Sequence, residues 1–338
     1  MMVDILNALV LIANFVIVPG LAYGSQLALG ALGVTMIYSI LRFSNFAHGE
    51  MMSFGAMITI LLTWYLQHLG VGLGPLPTAL IALPVGIVAT IILALSVDRM
   101  VFRYYRETRA EGVTFLIVSL GVMFVIAGLI RFIIGPNDQV FADGVRFILK
   151  AREFKKMTGL SEGLSIRTTQ VITLVTAIML VGAVFWFLEK TRTGKSMRAY
   201  SDNEDLALLS GINPERVVLI TWIITAMLAA TAGTLYGLDK SYKPFTYLSL
   251  LLPIFSAAIV GGVGSPLGAI AGGFVIAFSE LTITFAYKKV LFYLLPEGMA
   301  PTGLMQLLST DYKIALSFVI LVIVLLIRPT GLFGGKTL

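Results

Sequence analysis

Uncharged apolar runs recur along this 338-residue chain, and most of them are close to 20 residues long. A helix needs about 20 apolar residues to cross a bilayer. Apolar residues make up 58% of the chain and charged residues only 12%, whereas soluble domains contain about 25% charged residues. The pattern predicts an all-α, polytopic membrane helical bundle. The runs cover residues 21–41, 51–67, 79–97, 113–130, 171–188, 217–238, 247–278 and 314–327.

Two of the apolar stretches do not have the pattern of a single simple span. The run 247–278 is too long for one crossing, and the glycine-rich stretch before Pro266 divides it into two segments joined by a tight turn or a broken helix. The N-terminal stretch 5–21 is interrupted by Asn7, Asn14 and Pro19, and fits either a short span or an interfacial helix. We therefore expect about 8–10 transmembrane segments, including a broken or re-entrant helix.

One transmembrane domain over residues 1–338 accounts for the whole chain. The polar segments 135–169 and 287–312 are too short to fold around cores of their own. A short surface helix at 147–157 is expected in the first segment, and the second is expected to be a loop.

The chain lacks the residues that most enzyme and metal sites require. It has no cysteine, and its two histidines, His48 and His68, are separated by about a full span, with no third ligand spaced to join them. No catalytic set or nucleotide-binding motif is present, so we expect neither an enzyme nor a cofactor, and any ATP hydrolysis must occur on another chain. The excess of basic over acidic residues, 24 against 18, indicates contact with anionic lipid rather than nucleic acid.

The polar stretch 189–216, between two spans near the middle of the chain, is predicted to contain a short helix. Ser201 can cap its N-terminus, and Glu204 three residues later completes a capping box. Leu206 and Leu209 share one face, and Gly211 ends the helix.

A simple connector does not need a capped helix with one apolar face, whereas a docking surface for a soluble partner does. The stretch 189–216 therefore indicates a transporter coupled to a separate energy source. The alternative is a stand-alone secondary transporter or channel, which would be expected to carry more acidic residues inside the membrane.

The first polar interruption inside the apolar runs contains Asn45, His48 and Glu50. Polar groups inside a membrane are costly and usually face a cavity or a partner, so these residues are candidates for a translocation path. Alternatively, Asn45 caps a helix whose first turn holds His48 and Glu50 in the headgroup region.

The second interruption is glycine-rich and includes Gly261, Gly262, Gly264 and Ser265. It is not a phosphate-binding loop, because no Gly-Lys-Ser/Thr follows it. Small residues favour close packing of membrane helices. The other interpretation is a re-entrant turn that lines the path opposite the first interruption.

Basic residues do not settle the orientation by number, because alternating spans place equal numbers of them at the two ends. Arg42, the loop 98–111, the stretch 189–216 and the C-terminal tail fall at the same end. Short loops carry most weight, and the loop 98–111 favours this end as the cytoplasmic one. Its arginines are Arg99, Arg103, Arg106 and Arg109.

Four short motifs carry a resemblance to a known family. They are NFAHGE at 45–50, GKSMRA with ALLSGIN at 194–199 and 207–213, GGVGSPLGA at 261–269, and RPTGLFG at 328–334. In this order they resemble the high-affinity branched-chain amino acid ABC permeases of the LivH type. The resemblance extends from about residue 20 to residue 334, but the segments 135–169 and 287–312 do not match the family pattern.

The resemblance implies a permease subunit that carries branched-chain amino acids across the bacterial inner membrane. Its partners would be two cytoplasmic ABC ATPases, a periplasmic substrate-binding protein and a second permease, a LivM-like paralogue rather than a second copy. The resemblance also assigns the stretch 189–216 and the C-terminus to the cytoplasm. Permeases for urea and short amides look alike at these motifs, so those cargoes are the alternative.

Overall fold

The computed structural model describes residues 2–141, 144–295, 303 and 305–334, and it is almost entirely helical. Two short strands, β1 (Phe147–Leu149) and β2 (Ile166–Arg167), pair antiparallel. The helices are α1 (Met2–Ile12), α2 (Val18–Leu41), α3 (His48–His68), α4 (Ala79–Val97), α5 (Arg103–Glu107), α6 (Gly112–Ile134), α7 (Ala151–Thr158), α8 (Thr168–Lys190), α9 (Arg192–Asp202), α10 (Glu204–Leu209), α11 (Pro214–Lys240), α12 (Thr246–Gly261), α13 (Pro266–Thr284), α14 (Lys288–Leu294) and α15 (Lys313–Ile327).

The described residues form seven helices that are long and apolar enough to cross a membrane, and two shorter apolar helices, α12 and α15. Together they confirm the predicted polytopic bundle. The long run 247–278 is divided as expected, with α12 ending at Gly261 and α13 beginning at Pro266.

The N-terminal stretch is neither a separate span nor a separate interfacial helix. A π-helical turn at Ala13–Ile17 joins α1 to α2, so one helix of 40 residues runs from Met2 to Leu41. At 1.5 Å per residue it is about 60 Å long, roughly twice the thickness of a hydrocarbon core. Its first part packs against α14, where Ala8 and Leu11 are buried with Val290.

Helices α2 and α11 form the centre of the bundle, and most of their residues are buried. Glycines let neighbouring backbones approach closely. A Cβ added to Gly233 of α11 would lie 2.1 Å from the Met52 carbonyl oxygen, and one added to Gly273 of α13 would lie 2.6 Å from the Ala28 backbone nitrogen. Since no side chain fits at either position, small residues determine how these helices pack.

Contacts between distant segments define the two ends of the bundle. At one end, here the α9–α10 end, Arg42 contacts Ser201 and Arg103 pairs with Glu215 at 3.1 Å. This end contains the segments that alternating spans were predicted to bring together. The tail joins it through the Leu332 N–H, which donates to the Val260 carbonyl at 2.9 Å.

The opposite end, here the α1–α14 end, gathers the remaining connections. Glu162 accepts a hydrogen bond from Lys289 at 3.1 Å, and the Gln139 N–H donates to the Tyr242 carbonyl at 2.8 Å. The segment 135–169 contains β1, α7 and β2, so the predicted surface helix begins at Ala151 rather than at 147.

The segment 287–312 is not simply a loop, because it contains α14 and a 3₁₀ turn at Thr310–Tyr312. Residues 296–302 and 304 of this segment lie outside the described residues, as do residues 142–143 of the other.

Candidate translocation path and docking surface

The chain breaks between α2 and α3, and residues 42–47 turn it back into the bundle. Ala47 occupies the N-cap position of α3 without a side-chain cap, so the predicted cap by Asn45 is wrong. The Asn45 Oδ1 instead accepts a hydrogen bond from the Ala47 N–H at 3.1 Å. The Phe46 N–H donates to Ser119 Oγ of α6 at 3.2 Å, which ties the turn to a neighbouring helix.

His48 lies inside the bundle rather than in a solvated first turn, since its exposed fraction is 0%. Its ring fits against Gly33 of α2, where an added Cβ would lie 2.6 Å from the His48 Cε1. That Cβ would also lie 3.7 Å from the carbonyl oxygen of Thr225, a residue in the middle part of α11. The Gly30 backbone is close enough to act on the ring, but neither ring nitrogen forms a well-aligned hydrogen bond with a described residue.

Glu50 is also buried, with 1% of its surface exposed. Its Oε1 accepts no hydrogen bond from any described residue. Arg131 of α6 is close enough to act on it electrostatically, but its guanidinium stacks on the Phe245 ring, 4.0 Å from the centroid. His48 and Glu50 thus occupy the first turn of α3, as the alternative interpretation expects, but both side chains are buried in the bundle rather than solvated.

The glycine-rich interruption forms a tight turn between α12 and α13. Gly262 and Gly264 have φ angles of 112° and 88°, which only glycine adopts without strain. A Cβ on Gly261 would lie 2.0 Å from the carbonyl oxygen of Gly268, so the two helices meet backbone to backbone. Ser265 caps α13 by accepting a hydrogen bond from the Gly268 N–H at 3.1 Å.

The two interruptions meet the same helix, α2, at different heights. His48 packs on Gly33, whereas Gly264 accepts a hydrogen bond from the Ser39 hydroxyl at 3.4 Å. Six residues along a helix correspond to about 9 Å. The structure therefore does not place the two interruptions directly opposite each other.

A cavity of about 270 Å³ lies beside the glycine-rich turn at the α9–α10 end. Gly264 and Ser265 line it, but Asn45, His48 and Glu50 do not. Met197 and Ser201 of α9 form part of the opposite wall. The glycine-rich turn thus shares a cavity with the stretch 189–216.

The stretch 189–216 contains two helices rather than one, and the capping box predicted for Ser201 and Glu204 is wrong. Ser201 lies within α9, and Asn203 caps α10 by accepting a hydrogen bond from the Leu206 N–H at 3.0 Å. Asparagine and serine are about equally good N-caps, so cap preference alone does not show whether the helix begins after Ser201 or after Asn203. The Glu204 carboxylate instead accepts a hydrogen bond from the Tyr200 hydroxyl at 2.6 Å.

The hydrogen bond between Tyr200 and Glu204 spans the junction of α9 and α10. Burial, and then the hydrogen bond to Glu204, raise the pKa of the Tyr200 phenol well above its usual range. The hydroxyl therefore keeps its proton and remains a donor at physiological pH. The predicted stop at Gly211 is confirmed by its φ of 79°.

The apolar face of α10 points away from the bundle. Leu206 and Leu209 are 61% and 85% exposed, whereas Ala207 between them is buried. Exposed apolar side chains grouped on a polar connection are typical of a contact surface.

A second buried glutamate, Glu280, has no role in the sequence analysis because it comes just after the end of an apolar run. It is 1% exposed, forms an ion pair with Lys313 at 3.4 Å, and accepts a hydrogen bond from the Ser317 hydroxyl. Lys313 also lies 3.9 Å from the centre of the Tyr23 ring. Only the packing of α15 on α13 brings these residues together, and nothing in the local sequence signals it.

Seven long apolar helices, a broken helix pair and an exposed apolar connection are the features of a multi-pass membrane protein. The family model for the branched-chain amino acid transport system permease component matches residues 16–325, and the chain belongs to this family. The predicted family resemblance is therefore confirmed.

Two curated relatives cover nearly the whole chain. The high-affinity branched-chain amino acid transport system permease protein LivH of Escherichia coli K12 is 30% identical over 323 residues, which are 93% of each chain. BraD of Pseudomonas aeruginosa, a permease protein with the same description, is 27% identical over 319 residues, which are 94% of each chain. Among solved structures, PsaBC from Streptococcus pneumoniae in complex with Fab aligns with 96% of this chain and 92% of its own, at 13% identity and a TM-score of 0.46.

Proposed function

We propose that this chain is the membrane subunit of an ABC importer that carries branched-chain amino acids across the bacterial inner membrane. Two separate ATPases would supply the energy, and a periplasmic binding protein would deliver the cargo. The observation that carries the proposal is the exposed pair Leu206 and Leu209, on a bundle that belongs to the permease family. A channel or secondary transporter would have no use for this surface.

The orientation follows from the same surface. ATPases are cytoplasmic, so the α9–α10 end, including the described part of the C-terminal tail, would face the cytoplasm. The α1–α14 end would face the periplasm and receive the binding protein. The four arginines of the loop 98–111 support this orientation, because short cytoplasmic loops are rich in basic residues.

The cargo assignment rests on the relatives, which are named for branched-chain amino acid transport. The second permease of the complex would be a LivM-like paralogue rather than a second copy of this chain. Exchanging the binding protein of a reconstituted complex should change which solute stimulates ATP hydrolysis, because a closed pocket in a soluble partner discriminates side chains better than an open path.

The translocation path would pass two levels of the bundle. Asn45, His48 and Glu50 form the deeper level, where buried polar atoms lack partners. The second level is the glycine-rich turn of Gly261, Gly262, Gly264 and Ser265, beside the cavity at the α9–α10 end. Zwitterions pass most easily where polar groups and backbone contact them without binding tightly.

Replacing Leu206 and Leu209 together with serine tests the docking surface. We expect the permease to fold but to lose ATPase binding in a co-purification assay, because apolar residues dominate the core of an interface. The matched control changes Leu294 and Leu307 to serine, two leucines at the α1–α14 end that are 52% and 71% exposed. If the α10 variant binds the ATPases as well as the control variant does, with the same stimulation of ATP hydrolysis by the binding protein, α10 is not the docking surface.

Single cysteines test the path, since the chain has no native cysteine. Cysteines at positions 45, 48 and 50 should react with a water-soluble thiol reagent in at least one nucleotide state of the complex. Thr90→Cys is the control, because Thr90 of α4 is equally buried but packs against Gly55 of α3. Protection of all three positions in every state, to the same extent as position 90, would remove them from the path.

A further inference from the structure

Arg42 lies between the proposed docking surface and the broken helix that carries His48 and Glu50. It ends α2 in a left-handed conformation, with φ 56° and ψ 27°. Residues other than glycine rarely adopt this conformation because it brings Cβ too close to the following carbonyl. A glycine would fit this backbone better, so the arginine is not explained by the turn alone.

The Arg42 guanidinium contacts the end of α9. Its Nη2 donates a hydrogen bond to the carbonyl oxygen of Ser201, the residue before the last of α9. The last four carbonyls of a helix have no partner within the helix and carry a partial negative charge. Arg42 therefore caps α9 at its junction with α10, next to the Tyr200–Glu204 bond.

The chain that follows Arg42 is held firmly to the bundle. The Phe43 ring lies 5.1 Å from the Phe102 ring and 4.9 Å from the Phe115 ring, measured between centroids. Phe102 in turn stacks on Trp222 of α11 at 5.5 Å. Together with the bond from Phe46 to Ser119, these contacts leave little freedom between Arg42 and the start of α3.

We propose that Arg42 is a positioning residue that transmits movement of α9 and α10 to the N-terminus of α3. A displacement of the Ser201 carbonyl pulls on Arg42, and the packed segment 43–47 carries the displacement to His48 and Glu50. This inference rests on the proposed function, because it assumes that a partner moves α9 and α10.

The chain offers a matched pair of substitutions. Arg42→Gly removes the guanidinium and relieves the positive φ, so loss of fold is not expected. Arg109→Gly makes the same change at a second exposed arginine of the same end, whose φ is 50°. Arg42→Lys keeps a single charged donor and should restore part of the effect.

The experiment measures cargo transported per ATP hydrolysed by the reconstituted complex. For Arg42→Gly we expect unchanged assembly and basal ATP hydrolysis but a fall of about tenfold in this ratio, within the usual range for coupled sites. Arg109→Gly should leave the ratio unchanged, and Arg42→Lys should give an intermediate value. A wild-type ratio in Arg42→Gly would overturn the proposal.

Hydrogen exchange on the isolated permease separates this inference from the proposed function. Arg42→Gly should accelerate exchange of the amides at 43–47 and 199–203 but not elsewhere. If it does and the wild-type complex transports nothing, the importer assignment fails while the mechanical link stands. Unchanged exchange at both segments would overturn the link whatever the complex transports.

Discussion

Glu50 and Glu280 are equally buried, each with 1% of its surface exposed, yet their surroundings are opposite. Glu280 has Lys313 at 3.4 Å and the Ser317 hydroxyl as partners. Each glutamate has one oxygen that accepts no hydrogen bond from a described residue, but Glu50 has no ion-pair partner within 4 Å among those residues. Arg131 acts on Glu50 only electrostatically, and its guanidinium stacks on an aromatic ring.

Desolvation of a carboxylate costs several kcal/mol unless partners compensate it. The pair at Glu280 holds α15 against α13 and has a structural role. The uncompensated group at Glu50 adds nothing to stability, and such groups inside a membrane usually belong to a path or a site. The comparison therefore separates a residue that supports the fold from one that we assign to transport.

The largest expected effect is on stability at the Glu280 pair. Lys313→Ala leaves Glu280 buried without its counter-charge and should lower the free energy of unfolding by about 3 kcal/mol. Glu280→Ala should cost less, because the Lys313 side chain is 30% exposed and can reach solvent. Denaturant titration in detergent micelles measures both values.

The double variant Glu280→Leu with Lys313→Leu is the control for this prediction. Replacing both charges by apolar groups should recover most of the loss. If the double variant is as unstable as Lys313→Ala, the two charges do not act as a unit. The structural role assigned to the Glu280–Lys313 pair would then be wrong.

Local signals explain how much of the fold could be predicted. The lengths of the apolar runs predicted the spans, and the stop at Gly211 could be predicted because a helix stop depends on adjacent residues. The sequence did not predict that α1 and α2 form one continuous helix. Asn14 looks like an interruption, but its side chain accepts a hydrogen bond from Ser165 at 2.9 Å, and the π-helical turn before Pro19 lets the helix continue.

Tertiary contacts explain what the sequence could not show at the candidate site. Glu50 comes just before one apolar run and Glu280 just after another, and no local feature shows which of them has a partner. Their difference arises from α15, which supplies Lys313 and Ser317 to one of them only. The assignment of Glu50 to the path is a prediction.

Glu50→Gln should leave the fold intact but reduce transport. The amide has the shape of the carboxylate without its charge, so the free energy of unfolding should stay the same or rise. The transport rate should fall about tenfold, which corresponds to roughly 1.4 kcal/mol in the rate-limiting barrier. Transport assays in proteoliposomes and denaturant titration together provide the measurement.

Glu153→Gln, an exposed change on α7, controls for loss of one negative charge. A Glu50→Gln variant that unfolds as easily as Lys313→Ala would show that Glu50 is compensated in the native protein. The contrast between the two glutamates would then be lost.

The smallest difference between the two regions is expected when one methyl group is added to each. At Gly273 the new Cβ would meet the backbone of Ala28 at 2.6 Å, so α2 and α13 must separate, at a cost of about 1–3 kcal/mol. At Gly33 it would meet the His48 ring at 2.6 Å, and a side chain yields more easily than a backbone. Gly33→Ala should therefore lower the thermal midpoint less than Gly273→Ala, while reducing transport more, because it displaces His48 from the proposed path. Equal losses of stability would mean that the region around His48 and Glu50 is as rigid as the α2–α13 contact, which is difficult to reconcile with a path that opens there.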